Sequence, residues 1–233
     1  MSFLDFLFPH RCVSCEKLGS YICPDCFVKI KPIETPICPV CTRPAIHGLT
    51  HPRCQGRLRL DGLVCLFSYQ GPIKAALKKI KFSSIFDLVP ELVSLAEEEI
   101  EENEVLYNFF VEEKPLVVPI PLHWFRQNER GFNQSAFFGK QIAQRWGLFL
   151  GEDILKREKY TLPQAKLKKK ERKSNIQGVF KTNEGFSPNF LISQFPNILL
   201  IDDIWTTGAT MREAGKVLKR AGAKKVLGLT LAR

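Results

Sequence analysis

No apolar run in this 233-residue chain is long enough to span a bilayer, which argues against an integral membrane protein. The first residues, Met1-Ser2-Phe3-Leu4-Asp5-Phe6-Leu7-Phe8-Pro9, have no basic n-region and no small-residue cleavage site, and Asp5 breaks their apolar stretch. They read as an amphipathic segment packing against the fold rather than as a secretory signal, and a cytoplasmic location is expected. Carboxylates are in short supply. Against 34 Lys and Arg there are 24 Asp and Glu, a formal net charge of +10, so an anionic partner is expected. The balance does not choose among nucleotide, nucleic acid and membrane surface. Also missing are the lysine that closes a Walker A loop and the three spaced glycines of a dinucleotide fingerprint. No internal repeat is visible.

What is present divides unevenly. Of eight cysteines, seven lie in the first 54 residues, six of them as Cys-x-x-Cys pairs. The pairs are Cys12/Cys15, Cys23/Cys26 and Cys38/Cys41, and His51/Cys54 repeats the spacing with histidine in the first place. Each pair can offer two ligands to one ion, and zinc prefers four in a tetrahedron, so eight ligands make two closed, structural sites. Sequential pairing would join Cys12/Cys15 to Cys23/Cys26 and Cys38/Cys41 to His51/Cys54; a cross-braced arrangement would interleave the pairs. Similar internal gaps favour the sequential pairing, and His47 competes with His51. Disulfides and redox chemistry explain so many regular pairs less well in a chain without a signal peptide. Cys65, in the strand-like run Leu63–Tyr69, reads as a buried inert thiol. With 45% hydrophobic residues and 18 Phe, the chain is expected to hold a cysteine module over 1–60 and an α/β domain over 61–233. The two are expected to be separable: losing the Cys38 knuckle should leave a ligand site in the second domain filled.

The α/β domain is organised around Ile198–Met211. Ile198, Leu199, Leu200 and Ile201 form an apolar run without alternation, as in a strand buried on both faces. Asp202 and Asp203 follow, then Thr206-Thr207-Gly208-Ala209-Thr210, then a helical pattern with Met211, Ala214 and Leu218 on one face. Thr210 and Glu213 have capping-box spacing, the alternative being a helix start a turn earlier. Loop N–H groups, a helix N-terminus and threonine hydroxyls can hold a phosphate, and carboxylates at a strand end can accept from ribose hydroxyls. This stretch resembles the phosphoribosyl pyrophosphate (PRPP) signature of the type I phosphoribosyltransferases. That resemblance implies a mostly parallel sheet flanked by helices. It also implies PRPP with Mg²⁺ bound through Asp202, Asp203, Thr206, Thr207, Gly208, Ala209 and Thr210.

Upstream, Gly71-Pro72 opens a helical pattern with Ile73, Leu77 and Ile80 beside Lys74, Lys78, Lys79 and Lys81. A second helical pattern over 85–103 ends in an acidic run that reads as a solvated helix end. Leu116–His123 is a short strand running into a turn, and Asn133 is a cap for a helix through Trp146. In phosphoribosyltransferases the turn after such a strand holds pyrophosphate; Leu122 and His123 occupy that place, with Arg126 and Arg130 to supply charge. His123 reads equally as a turn residue without chemistry. From Lys156 to Lys173, nine Lys and Arg against two Glu give a local net of +7. That is either a solvated face or a lid closing over pyrophosphate.

Taken in order, the Cys-x-x-Cys pairs, Pro119-Ile120-Pro121-Leu122-His123, Arg130-Gly131-Phe132-Asn133-Gln134, Thr161-x-x-Gln164, Glu171-Arg172, Asn175 and Asp202–Thr210 resemble the bacterial ComF/GntX family over nearly the whole chain. Two departures are His51, where a cysteine is usual, and the bulky Trp205, which either packs beneath the loop or stacks on a ligand. The resemblance implies handling of single-stranded DNA in natural transformation, with PRPP and other competence proteins as partners. Trp124, Phe125 and Phe132 are aromatics suited to base stacking. Two alternatives are an active phosphoribosyltransferase on an amine or nucleobase and a PRPP sensor without turnover. No base-reading hood is evident beyond the cysteine module and Leu60–Tyr69. Thr161–Gln164 resembles a region of glutamine PRPP amidotransferases, but position 2 is Ser2, not their N-terminal cysteine.

Overall fold

A computed structural model describes residues 10–83, 85, 87–159, 176–183 and 192–233, with only the backbone of Ser83, Arg126, Glu129 and Arg130. Most of the basic block, including Thr161, Gln164, Arg172 and Asn175, therefore lies outside the described residues, as do Met1–Pro9.

Four parallel strands make the central sheet in the order β1 (Gly62–Phe67), β6 (Lys225–Ala232), β5 (Asn197–Ile204), β2 (Leu116–Pro119). Successive residues of each strand face opposite layers. Leu63, Cys65, Leu116, Val118, Ile198, Leu200 and Val226 enter one core. Val64, Leu66, Val117, Leu199, Ile201, Leu227 and Leu229 enter the other. With both layers covered, neither strand face needs polar residues, which explains the unalternating run at 198–201.

One layer is built by α2 (Gly71–Ser83), α3 (Leu88–Glu102), α4 (Glu104–Val111) and α6 (Gln134–Trp146), through Ile73, Leu77, Leu92, Phe109 and Ile142. The other is covered by α7 (Ala209–Arg220), through Met211, Ala214 and Leu218. Two short helices, α1 (Pro24–Phe27) and α5 (Trp124–Arg130), and an antiparallel pair, β3 (Leu155–Arg157) with β4 (Phe180–Thr182), complete the described elements that carry the site. The α/β architecture with a cysteine module is as expected.

Local chemistry sets the boundaries. Asn133 caps α6, its Oδ1 accepting from the Ser135 N–H at 3.1 Å, as its position predicted. The acidic run does more than end a helix: Asn103 accepts from the Leu106 N–H at 3.0 Å and starts α4, which the charge pattern concealed. The capping box does not form. The helix begins at Ala209 with Gly208 as its N-cap, so Thr210 sits inside, and Glu213 instead accepts from the Gly178 N–H at 2.9 Å.

The cysteine module divides between the two layers. Cys12, Ile22, Cys23 and Cys26 join the core beneath α2 and α3, whereas Ile37 joins the core beneath α7. Its two halves begin with the same hairpin, a repeat the sequence did not reveal. Cys12 N–H bonds to Lys17 O and Glu16 N–H to Cys12 O, while Cys38 N–H bonds to Arg43 O and Thr42 N–H to Cys38 O. Glu16 and Thr42 are both left-handed, at φ 63° and 61°.

Candidate zinc centres and a phosphate-sugar cleft

The sequence reading left two zinc pairings open, and the chain brings the ligands together sequentially. The ligand atoms of Cys12, Cys15, Cys23 and Cys26 lie within 4.8 Å of one another, and so do those of Cys38, Cys41, His51 and Cys54. In each hairpin the left-handed residue follows the second cysteine, and the two sulfurs lie close to the other ligands of their cluster. His51 presents Nδ1, 3.3 Å from the Cys41 sulfur, while its Nε2 meets the Pro44 carbonyl at 2.9 Å. That outer hydrogen bond fixes the ring with Nδ1 free to ligate, the usual support for a metal-bound histidine. Cys41 is poised as a thiolate: the Arg43 backbone N–H brings its pKa down to about 6. Four ligands per cluster, four thiolates in one and three thiolates with an imidazole in the other, leave no place for water, as in structural zinc sites. His47, at the left-handed φ of 47°, stands outside the ligand set. Cys65 is buried, and burial raises its pKa to about 11, so it is an inert thiol.

The second site opens at the carboxyl ends of the parallel strands, where ligands of open α/β sheets bind. A cavity of about 370 Å³ is bounded by Tyr69 after β1, Leu122 after β2, Asp202 and Asp203 on β5, and Thr230 on β6. Thr206, Gly208 and Thr210 form one wall, and Ser135 and Lys81 reach in from α6 and α2.

The acidic pair is firmly held. Asp202 accepts from the Ser135 hydroxyl at 3.0 Å and from the Asp203 N–H at 2.9 Å. Burial, then the adjacent Asp203 charge, pushes the Asp202 carboxyl from 3.8 up to about 7. Asp203 is ion-paired with Lys81. The turn after β2 is tied down by the Ile120 N–H donating to Ile201 O at 2.8 Å and by Asn133 Nδ2 donating to Ile120 O at 3.0 Å.

Beneath the loop lies Trp205, only 4% exposed, so it is a floor rather than a stacking face. Gly208, at φ 71°, rests directly on its ring. The Arg212 guanidinium lies 5.4 Å over the same indole, donates to Pro39 O at 2.7 Å through Nη1, and donates to Thr207 O through Nη2. The Thr207 hydroxyl accepts weakly from the Ala209 N–H at 3.4 Å.

Of the predicted phosphate-sugar residues, Asp202, Asp203, Thr206, Gly208, Thr210 and Leu122 line the cavity. Thr207 and Ala209 shape the loop from behind it. His123 is 4% exposed, and its Nδ1 accepts from the Phe125 N–H at 3.2 Å, capping α5. The side chain of Arg130 lies outside the described residues. Trp124 and Phe125 are exposed, but Phe132 packs against the core, so it is not an outward stacking face.

Comparison with known proteins agrees with this arrangement. Residues 3–55 match the family model of the double zinc ribbon domain. Over 220 aligned positions, 91% of this chain and 84% of the other, the sequence is 30% identical to competence protein ComFC of Bacillus subtilis. The chain belongs to the ComF family. It is also 28% identical to competence protein F of Haemophilus influenzae, covering 100% of this chain and 99% of that one. With the DNA utilization protein YhgH of Escherichia coli it shares 27% identity, over 94% of each.

Sequence reasoning missed several ComF cavity residues. Lys81 looked like one more lysine beside an apolar stripe, and only the packing of α2 against the sheet aims it at Asp203. Ser135 carried a signal, since it follows a helix cap and must sit in the first turn above the β2 loop. Arg157 belongs to the basic block and Tyr69 to the Leu60–Tyr69 stretch, so both carried a regional signal; Thr230, on β6, had none.

Proposed function

We propose that this ComF-family protein is a cytoplasmic, phosphoribosyltransferase-like protein that binds PRPP with Mg²⁺ and handles single-stranded DNA during natural transformation. The observation that carries the ligand is the acidic pair at the end of β5, followed by the Thr206–Thr210 loop, on a single cavity of about 370 Å³. The loop N–H groups and hydroxyls suit a 5-phosphate, and Asp202 and Asp203 suit ribose hydroxyls. Leu122, Lys81 and Arg157 line the same cavity, and the two cations suit the charge of a pyrophosphate. The carboxylates form an oxygen donor set suited to Mg²⁺, held mostly by ligand oxygens and water. The DNA role rests on the relatives' names, the net charge of +10 and the exposed Trp124 and Phe125.

Two measurements on the purified, zinc-loaded protein test both halves. Calorimetry with PRPP should show binding that needs Mg²⁺ and weakens in Asp203→Asn. Such charge-assisted hydrogen bonds contribute about 1.5–3 kcal/mol, a loss of roughly tenfold to a hundredfold. Equal affinity in wild type and variant would refute the site. Single-stranded DNA should bind with a salt slope of about −0.7 per phosphate neutralised, flattened by up to ~2 units when Lys168, Lys169 and Lys170 become Gln. An unchanged DNA slope with lost PRPP binding would make that segment a lid instead. Phosphate release or transfer to an amine in the same samples would mark an active transferase; PRPP binding without it and without DNA would mark a sensor.

A further inference from the structure

We propose that Arg212 makes the second zinc lobe part of the phosphate loop, so that this lobe positions the loop amides and the first lobe does not. The inference rests on the PRPP reading above for its ligand, but the strut itself is structural. Arg212 stands in the first turn of α7, half-buried, with one guanidinium spanning two otherwise unrelated carbonyls. One is Pro39 O, between the zinc ligands Cys38 and Cys41; the other is Thr207 O, in the middle of the loop. A planar fork that donates to two acceptors at once fixes their separation and directions. The consequence follows from the peptide bond. Because a trans peptide points its C=O and N–H in opposite directions, drawing the Thr207 carbonyl toward Arg212 aims the Gly208 N–H the other way. Gly208 borders the cavity, and on this proposal an N–H so turned away from Arg212 is a donor to a phosphate bound there.

Pro39 can serve as an anchor only while its hairpin is closed, through Cys38 N–H to Arg43 O and Thr42 N–H to Cys38 O, both at 2.9 Å. Zinc at Cys38, Cys41, His51 and Cys54 would hold that closure. The first lobe is built into the opposite layer of the sheet, and among the described residues no hydrogen bond like those of Arg212 joins it to the loop. On this proposal the second lobe is not separable from the site, against the expectation from sequence, because a side chain from α7 reaches across to it.

The test compares wild type, Arg212→Met, Arg212→Lys, Cys54→Ala and Cys15→Ala, by hydrogen exchange of the amides at 206–210 and by calorimetry with PRPP and Mg²⁺. Arg212→Met should speed loop exchange and weaken PRPP by about tenfold each, with two zinc ions retained and protection of β5 and β6 unchanged. Cys54→Ala should reproduce the loop effect; Cys15→Ala should lose one zinc and leave the loop alone. Should Arg212→Met lose sheet protection, Arg212→Lys decides, since it keeps charge and bulk but cannot span both carbonyls. The proposal is overturned if loop exchange in the Arg212 variant matches wild type, or if both cysteine variants disturb the loop alike. If wild type does not bind PRPP, the ligand reading fails by itself and the exchange arm still decides this one.

Discussion

Gly208→Ala is the sharpest single perturbation of the loop, and its cost can be worked from two independent terms. Gly208 has φ 71°, a left-handed conformation that an L-residue with a Cβ adopts at a cost of about 1–2 kcal/mol. A methyl placed there would lie 2.1 Å from both Cη2 and Cζ2 of Trp205, far inside contact distance. The ring cannot retreat easily, because it is 4% exposed and covered by Arg212. Overpacking of this kind costs about 1–3 kcal/mol. The sum, about 2–5 kcal/mol, is a large part of the roughly 5–15 kcal/mol by which folded domains are stable. The two terms can be separated with Trp205→Leu. Alone, this large-to-small change costs about 2–4 kcal/mol. In the double variant the clash is gone while the left-handed strain remains, so the total should fall below the sum by about 1–3 kcal/mol. Urea unfolding of the four proteins, with zinc held in excess, reads this directly. Additivity within about 0.5 kcal/mol would mean that the ring does not support the glycine, and would refute the account of the loop.

Elemental analysis should find two zinc ions per chain and one in Cys54→Ser; closed sites of this kind contribute on the order of 10 kcal/mol of folding free energy each, so chelation should unfold the hairpins. Recovery of disulfides in place of metal would overturn the assignment. A pH series tests Asp202, whose carboxyl is pushed up to about 7 by burial and by Asp203. The ionised form, needed to accept from ribose hydroxyls, appears above that pH, so PRPP affinity should rise from pH 5.5 to 7.5 and then level off, and Asp202→Asn should flatten the rise. Without ligand the sign reverses. The folded chain holds this proton more tightly than the unfolded chain, so the Asp202 contribution makes stability fall as pH rises from about 4 to 7. A ligand-free melting temperature that climbs over that window equally in wild type and Asp202→Asn would speak against the buried carboxyl.

The sequence carried the site where one stretch of chain makes it, and lost it where packing does. Ile198–Thr210 could be read because strand, acidic pair and loop are contiguous and each has a local signature. The zinc ligands could be read because paired spacing survives without knowledge of the fold. Lys81 and Thr230 could not, since their roles exist only where α2 and β6 meet β5. Trp205 is the instructive case. A large aromatic in a phosphate loop could be floor or stacking face, and only its burial under Gly208 and Arg212 decides it. The acidic run ends its helix at Asn103 as expected, but hides the helix that Asn103 then starts, because charges exposed on two successive helices give no separate signal for the second.

Among the described residues the central sheet has four strands and two edges, and an open edge is a row of unpaired backbone groups that invites association with another chain. Here both are partly closed. Beside β2, the Val117 N–H donates to Phe149 O and the Gly151 N–H to Val117 O, both at 2.8 Å, a single bridge in place of another strand. Beside β1 the work falls to the cysteine module. The segment joining its two halves pairs with the end of the strand, Ile33 N–H donating to Leu66 O and Ser68 N–H to Lys31 O. At the strand's start, Leu49 forms an antiparallel bridge with Gly62, and the Thr50 N–H donates to Asp61 O. The two halves then clamp opposite layers, Ile22 with one core and Ile37 with the other. A ribbon stabilised by metal is suited to this place, because it needs no large core of its own to hold its shape. The same placement brings the Cys38 hairpin within reach of Arg212. Covering an edge strand and steadying the phosphate loop are thus two results of laying one zinc module across β1.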